Sequence, residues 1–368
     1  MFSPGAVLEK IRDSLPERFE DRVSLFFIIL AVSLAFLLAF SLSFAAGKPV
    51  GSDFWFHLEI AESYARGENA LFREEFMAPN RGPYPPLLHL MLVPFVKLGV
   101  AVQFATMLQV IFYPLALFTS VYLVWRRVSV FSASFAGILL LSSIAFIDRS
   151  LQVNPQAFDM IFFPLAAYFF LEKKRLPFLV SMAVVIYSHG TFGFLLLGSL
   201  ILYNLKFRGQ SKMIRDALIV VSPLIIITLV FLPSYLGLVN EVKNPQEMLI
   251  WENPLNFFSY IGWTNALLFG VSLLYYFLKR KNLDRMDFLV MFWLISLMPI
   301  LPFYPDRLAT YAVVPMCIMV SKFLAETTES KRRVGLLLTL ILFIVAFSSY
   351  LNWWHVLEGT GPARFDVH

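Results

Sequence analysis

The sequence has little charge and almost no cysteine. Charged residues make up 15% of the 368 residues and hydrophobic residues 58%, whereas an average soluble domain carries roughly 25% charged residues. A water-soluble fold of this length could not bury so much apolar surface, so the composition excludes an ordinary soluble enzyme. The single cysteine, Cys317, lies in an apolar run, which excludes a disulfide framework or a cysteine metal site within one chain.

Several catalytic patterns are also missing. The sequence has no Walker-type phosphate loop, no His-Glu-x-x-His and no Gly-x-Ser-x-Gly, so nucleotide-driven and hydrolase functions have no motif here. The formal net charge is +5, but the basic residues stand in short clusters between apolar blocks. Membrane topology explains that placement better than nucleic-acid binding does, and we expect no nucleic-acid partner.

The chain is rich in long apolar runs. Blocks of about 18 or more residues with almost no charge match the length needed to cross a hydrocarbon core of roughly 30 Å, and helices satisfy their own backbone hydrogen bonds there. We predict an all-α, polytopic transmembrane bundle of about eleven helices, with a helical first external loop. The predicted spans are 23–46, 100–125, 131–147, 157–171, 177–187, 191–205, 217–236, 257–278, 288–303, 308–323 and 334–354.

The basic clusters predict an orientation in the cell membrane. With a retained N-terminal segment, 1–22, in the cytoplasm, every cluster falls on the cytoplasmic face, as the positive-inside rule requires. One transmembrane domain then covers 23–354, with a first external loop at 47–99 and a short external tail at 355–368. The stretch 84–97 is too short to span and is predicted to lie at the membrane surface. The clusters are Arg126-Arg127, 173–175, 206–215, 279–285 and 331–333.

Unusual polar residues collect on the predicted external face. If the segment that begins at Asp53 is helical, Asp53 and His57 lie one turn apart on the same side. A carboxylate and an imidazole so placed can share a proton, hold a divalent ion or orient a nucleophile. An interfacial amphipathic helix with a capping aspartate fits the spacing equally well. His189 stands at a turn between two short spans, where it would meet a phosphate or a sugar, or serve as a structural histidine.

Three polar segments of the predicted external face carry distinctive motifs. The first loop contains Ser-Asp-Phe-Trp-Phe-His-Leu-Glu at 52–59 and Tyr-Pro-Pro-Leu-Leu-His at 84–89. The second contains Asp-Arg-Ser and Asn-Pro-Gln within 148–156, and a late segment reads Pro-Asp-Arg-Leu at 305–308. Together they resemble the GT-C superfamily of polytopic membrane glycosyltransferases, and most closely the catalytic subunit of oligosaccharyltransferase. The resemblance implies transfer of a sugar from a polyprenyl (dolichyl) phosphate donor to a lipid, glycan or protein acceptor at the external face.

The resemblance also implies roles for individual residues. Asp53 would be the catalytic carboxylate, with His57 beside it. Arg307 is the first candidate for binding the departing phosphate, and Arg149 is the second. A divalent cation, Mg²⁺ or Mn²⁺ at Asp53, and a reaction without metal both stay open. The other assignments are His189, Tyr84 and His89 to the donor, and Asp148, Gln156 and Glu247 to the second loop or the acceptor side.

Two departures from the oligosaccharyltransferase pattern narrow the expected reaction. Asn154 and Gln156 stand where that pattern has acids, so a metal held by both loops is not expected. The sequence also lacks the Trp-Trp-Asp-Tyr-Gly motif and a soluble C-terminal domain, so we expect transfer of one sugar rather than attachment to asparagine sequons. The alternative class is a secondary transporter or flippase of lipid-linked or small polar substrates, which predicts related halves with matching helix breaks.

Overall fold

The computed structural model describes residues 18–49, 53–68, 85–230, 258, 261–279, 282–300, 305–328 and 331–359. All regular elements within these ranges are helical, which confirms the predicted all-α bundle. In chain order the helices are α1 Phe19–Ala46, α2 Asp53–Ala65, α3 Leu87–Lys97, α4 Ala101–Arg127, α5 Val130–Leu141, α6 Ile144–Leu151, α7 Pro155–Leu171, α8 Arg175–Ser188, α9 Gly190–Phe207, α10 Ser211–Val230, α11 Trp263–Lys279, α12 Arg285–Leu297, α13 Pro305–Thr328 and α14 Arg332–Gly359.

A helix lies at each of the predicted spans, but the helices differ in length. Among the described residues, α1, α4 and α13 are long and apolar enough to cross a membrane alone. Helices α3, α7, α8, α9 and α11 are apolar but shorter. Helix α3 has 11 residues, or about 16 Å at 1.5 Å per residue, which agrees with the prediction that the stretch 84–97 does not span.

The predicted span 131–147 is broken in the structure. Helix α5 ends at Leu141, α6 starts at Ile144, and the two axes differ by 78°. The break separates Ser142 from Ser143, whose backbone is extended. The Asn265 amide donates to the Leu139 carbonyl at 3.1 Å and so satisfies an acceptor in the last turn of α5. Asp148 and Arg149 therefore lie in a helix, where the sequence had suggested a loop.

Helix α13 occupies the centre of the bundle. It packs against α5, α11 and α12, and 94% of its most apolar window is buried, against 39% for α1. A helix with no lipid-facing stripe must be surrounded by other helices. Its N-terminal turns, which carry Arg307 and Tyr311, are thereby placed inside the protein.

Ion pairs join the helix ends that the sequence assigns to the cytoplasm. Arg332 at the start of α14 contacts Asp21 of α1 at 3.3 Å. Arg127 at the end of α4 contacts Glu172 just after α7 at 2.6 Å. Lys279 at the end of α11 likewise contacts Glu326 at 2.7 Å. Each pair links two ends predicted to share one membrane face, so the helix directions agree with the topology. The assignment of that face to the cytoplasm stays a prediction.

Helices α8 and α9 form the predicted hairpin of short helices, and a glycine sets their separation. A methyl group added at Gly193 would lie 2.8 Å from the Ile186 Cα atom, so only glycine permits this approach. Small residues allow such contacts between membrane helices, where dispersion rather than the hydrophobic effect holds helices together. The hairpin fixes the position of the turn at His189.

Replacing Gly193 with alanine is expected to lower the free energy of unfolding by about 1–3 kcal/mol, because the methyl group must push α9 away from α8. Gly198, on the same helix, is the matched control, since a methyl group there would meet no other atom within 4 Å. The check is thermal unfolding of both variants in detergent. Equal melting temperatures for the two variants would contradict the close packing.

Candidate functional site

The first-loop motif forms a helix whose histidine is paired with the next motif. Helix α2 begins at Asp53, whose side chain lies outside the described part of the structure. His57 follows one turn later, on the same face, and its Nδ1 atom is 2.9 Å from Nε2 of His89 on α3. His57 is 2% exposed and His89 is fully buried. The two first-loop motifs of the sequence are therefore in direct contact.

The histidine pair is neutral. Burial lowers the pKa of His57 to about 3. Burial, followed by the neighbouring His57, also holds the pKa of His89 well below its usual range. One ring then donates a hydrogen to the other, since a neutral imidazole has one donor and one acceptor nitrogen. A fixed neutral pair holds α2, and with it Asp53, against α3.

This pair predicts acid sensitivity. The unfolded chain protonates His57 below about pH 6.5, whereas the folded chain resists protonation until about pH 3. The contribution of His57 to the free energy of unfolding is therefore fully present above pH 6.5. It decreases as the pH drops, by up to about 1.4 kcal/mol per pH unit for this group. Melting temperatures between pH 7.5 and 4.5 test this. His57→Gln should show a shallower fall than the wild type, and parallel curves would contradict the assignment.

The turn between α8 and α9 places His189 beside this helix pair. A methyl group added at Gly190 would lie 3.4 Å from Cγ of Pro85, just before α3. The His189 ring stacks on Phe192, with 4.8 Å between the ring centroids. Its Nδ1 atom is 2.8 Å from the Tyr311 hydroxyl and 3.2 Å from Oδ2 of Asp159. The ring is thus held on its face and at one nitrogen.

Asp159 and Tyr311 belong to the site although the sequence analysis assigned them no role. The Tyr311 hydroxyl donates to Oδ2 of Asp159 at 2.7 Å, and Asp159 is 1% exposed. A usable signal was present: Asp159 is a carboxylate inside the apolar span 157–171, and ionisable residues within spans are functional candidates by default. Tyr311 carried no comparable signal, because aromatic residues are common in such helices.

Two arginines complete the cluster. Burial, and after it the positive charge of Arg307 on α13, the neighbouring His57 and the positive charge of Arg149 on α6, holds the pKa of His189 well below its usual range. Arg149 also contacts Asp148 at 3.3 Å. The structure therefore brings together residues from α2, α3, α6, α7, the α8–α9 turn and α13. Concentrated positive charge at one end of a helical bundle is suited to binding a phosphate.

The second-loop amides have separate tasks. Asn154 caps α7 by accepting a hydrogen bond from the Ala157 amide at 3.0 Å, which is the ordinary function of asparagine at a helix start. Asp148 accepts a hydrogen bond from the Gln152 amide at 2.8 Å. Gln156 is 4% exposed, and its Oε1 atom has no hydrogen-bond partner among the described residues. This loop presents amides where the oligosaccharyltransferase pattern has acids.

The described residues contain no cluster of candidate metal ligands. No cluster of three or more histidine, cysteine, aspartate or glutamate residues there could hold an ion. A cation at Asp53 stays a prediction, because that carboxylate is not among the described side chains. Tyr84 and Glu247, which the sequence analysis assigned to the donor and the acceptor side, also lie outside the described residues.

Two solved structures share this fold. They are ArnT from Cupriavidus metallidurans bound to undecaprenyl phosphate and the same protein in the apo state, with TM-scores of 0.53 and 0.51. Each is 15% identical to this chain over 84% of its length. The match covers 62% of ArnT, so the chain spans less than two thirds of that protein. No protein-family model and no curated protein sequence matches the chain.

The architecture is that of a multi-pass helical membrane protein. ArnT is a GT-C glycosyltransferase, and the chain has the GT-C fold. The resemblance inferred from three short motifs is thereby confirmed at the level of the fold.

Proposed function

We propose that the protein is a membrane glycosyltransferase that moves one sugar from a polyprenyl phosphate carrier to a lipid or glycan acceptor at the external face. One observation carries the proposal: in a GT-C fold, the charges of Arg307 and Arg149 both lower the pKa of His189, which lies at the turn packed beside α3 and its partner helix α2. The ArnT structure with undecaprenyl phosphate supports a carrier of that class. A bilayer-embedded bundle suits a donor whose isoprenoid chain stays in the membrane.

The chemistry follows from the leaving group. An acceptor oxygen attacks the anomeric carbon while the bond from that carbon to the phosphate oxygen breaks, and the phosphate departs with the bonding electrons. Phosphate is a good leaving group, so the site needs positive charge more than an acid. Arg307 and Arg149 supply it in a region with little water, where electrostatic stabilisation is strongest. Asp53 orients the acceptor hydroxyl and faces the positive charge that develops on the sugar ring.

The remaining candidate residues are assigned by role. Tyr84 and His89 are proposed to contact the donor. Asp148, Gln156 and Glu247 are proposed to contact the acceptor, and the Gln156 Oε1 atom, which has no partner among the described residues, can accept a hydrogen bond from a hydroxyl group. Dolichyl and undecaprenyl carriers share the phosphate chemistry, and the experiment distinguishes them.

The test is transfer in proteoliposomes with radiolabelled dolichyl- and undecaprenyl-phosphate sugars and a native lipid extract as acceptor. Wild-type protein should move label into a new product. Arg307→Gln should lower the rate by at least about 100-fold, because a charge that stabilises the transition state is lost. Arg66→Gln is the matched control, since Arg66 is an exposed arginine near the end of α2, and it should transfer at the wild-type rate.

Other outcomes would redirect the assignment. If labelled donor crosses the bilayer unchanged and no product forms, the protein is a flippase. If wild type and Arg307→Gln are equally active, the phosphate site lies elsewhere. An arm with EDTA decides whether a divalent cation takes part.

A further inference from the structure

The hydrogen bonds around His189 favour one of its two neutral tautomers. A tyrosine hydroxyl has one hydrogen, and that of Tyr311 is donated to Oδ2 of Asp159 at 2.7 Å. With that hydrogen used, the contact of 2.8 Å between His189 Nδ1 and the Tyr311 oxygen is a hydrogen bond when Nδ1 carries the hydrogen and donates it. In the neutral ring, Nε2 therefore carries the lone pair.

A nitrogen with a lone pair cannot donate to a phosphate oxygen. The sequence suggested that His189 binds the phosphate of the sugar donor. That binding is therefore assigned to Arg307 and Arg149 instead. What Nε2 can do is accept, either a hydrogen bond or a proton, from a hydroxyl group. The ring is prepared for this, because stacking on Phe192 and the contact with Tyr311 fix its orientation before a substrate arrives.

Asp159 is placed to stabilise the charged ring that would result. Its Oδ2 atom is 3.2 Å from Nδ1 of His189, on the nitrogen opposite to the one that accepts. A buried carboxylate in this position orients an imidazole and stabilises the imidazolium form. A histidine that only received a hydrogen bond from a sugar would need no such carboxylate.

We propose that His189 is the proton acceptor for the nucleophilic hydroxyl of the acceptor, with Asp159 and Tyr311 as the positioning residues that hold its ring. This inference rests on the proposed function. The acceptor oxygen bonds to the anomeric carbon, the bond from that carbon to the phosphate oxygen breaks, and the hydroxyl proton moves to Nε2. The carrier phosphate leaves with the bonding electrons, and the proton passes from His189 to water when the product departs. Asp53 then orients the acceptor hydroxyl without taking its proton.

The groups that face this ring set its pH dependence. They are Asp159 on α7, Tyr311 and Arg307 on α13, Arg149 on α6 and His57 on α2. Burial, and after it the charges of the two arginines, oppose protonation of His189 and lower its pKa, whereas a negative charge on Asp159, 3.2 Å away, would favour the protonated ring. The acid limb of kcat/KM should therefore report His189, and Asp159→Asn should move its midpoint to lower pH, because the imidazolium loses its stabilising charge. A merely structural role of Asp159 would lower activity without moving that midpoint.

The experiment compares His189→Ala, Asp159→Asn and Tyr311→Phe in the full-length protein. We expect His189→Ala to lower kcat by about 10²- to 10⁴-fold, while the donor KM and the binding of undecaprenyl phosphate stay within threefold. Added imidazole should restore at least tenfold of the lost rate, because it can enter the vacated volume and accept the proton. Tyr311→Phe should reduce kcat less than His189→Ala does.

Three results separate the proposals. If wild-type protein transfers sugar and His189→Ala does so within threefold, His189 is not the proton acceptor. If His189→Ala loses binding of undecaprenyl phosphate together with activity and imidazole restores nothing, the histidine binds phosphate or supports the fold, and the inference is wrong. If wild-type protein itself transfers no sugar from any donor, the proposed function fails, and the inference fails with it.

Discussion

Replacing Asp53 with asparagine is expected to lower the rate of sugar transfer by about 10²- to 10⁴-fold. Asparagine keeps the size of the side chain and removes its charge, so the acceptor hydroxyl loses its orienting partner and the sugar ring loses a compensating negative charge. Asp53 opens α2 one turn before His57, whose contact with His89 fixes that helix against α3. Binding of undecaprenyl phosphate should stay within about threefold, because the arginines are intact.

Glu59→Gln is the matched control for this substitution. Glu59 is an exposed carboxylate on the same helix, and its neutralisation should leave transfer unchanged. The measurement is the initial rate at saturating donor, with carrier binding determined on the same preparations. Full activity in Asp53→Asn would remove this residue from the mechanism. Equal losses in both variants would show that the charge of the helix matters rather than this carboxylate.

The second large effect concerns stability at the opposite end of the bundle. Lys322 on α13 is 4% exposed, and its Nζ atom lies 2.5 Å from Asp287 on α12 and 2.5 Å from Asp284. Lys322→Met should lower the free energy of unfolding by about 3–5 kcal/mol, because Asp287, only 3% exposed, is left as an uncompensated buried charge. Transfer chemistry should persist in the fraction that folds, since the site lies at the other end.

Labelling of Cys317 can report the loss of stability in Lys322→Met. It is the single cysteine of the chain, it is 1% exposed, and it lies on the same helix as Lys322. Labelling by a thiol-reactive dye during heating should begin at a much lower temperature in Lys322→Met than in wild type. Replacing both members, Lys322→Met with Asp287→Leu, should recover most of the stability, because a buried ion pair can be exchanged for apolar packing.

An exposed arginine of the same predicted face provides the control. Arg215 contacts Asp216 at 3.4 Å, and its side chain is 67% exposed. Solvent screening makes such pairs worth about 0–1 kcal/mol, so Arg215→Gln should melt close to wild type. A melting temperature for Lys322→Met that matches Arg215→Gln would show that the buried network is not needed for stability.

The architecture could be predicted from the sequence because the bilayer restricts which structures a chain can adopt within it. Apolar runs must be helices, and the clusters of basic residues mark which ends share a face. The paired helix ends in the structure agree with that reading. The break between α5 and α6 was not predictable by the same means, since the Leu139 carbonyl at the end of α5 accepts a hydrogen bond from Asn265, more than a hundred residues away. Such a tertiary hydrogen bond leaves no mark on local hydropathy.

The site was predictable where its residues stand in polar loops. His57, His89, His189, Arg149 and Arg307 were all assigned from loop position and motif likeness, and the structure places them around one cluster. Asp159 and Tyr311 were not assigned to the site, because they lie inside apolar spans, which are recognised by their length and hydropathy rather than by single polar residues. Asn154 stands where the oligosaccharyltransferase pattern has an acid, and its capping of α7 gives a physical reason for an amide at that position.

Transfer of a doubly labelled donor tests the glycosyltransferase assignment most directly. The donor carries tritium in its sugar and radioactive phosphorus in its phosphate, and the wild-type protein is compared with Asp53→Asn. We predict that the tritium moves to the acceptor while an equal amount of the phosphorus stays on a polyprenyl carrier that has lost its sugar. In Asp53→Asn, nearly all of both labels should stay in the intact donor. Phosphorus that travels with the sugar, or a donor that stays intact in the wild type, would contradict a glycosyltransferase that breaks the bond between the anomeric carbon and the phosphate oxygen.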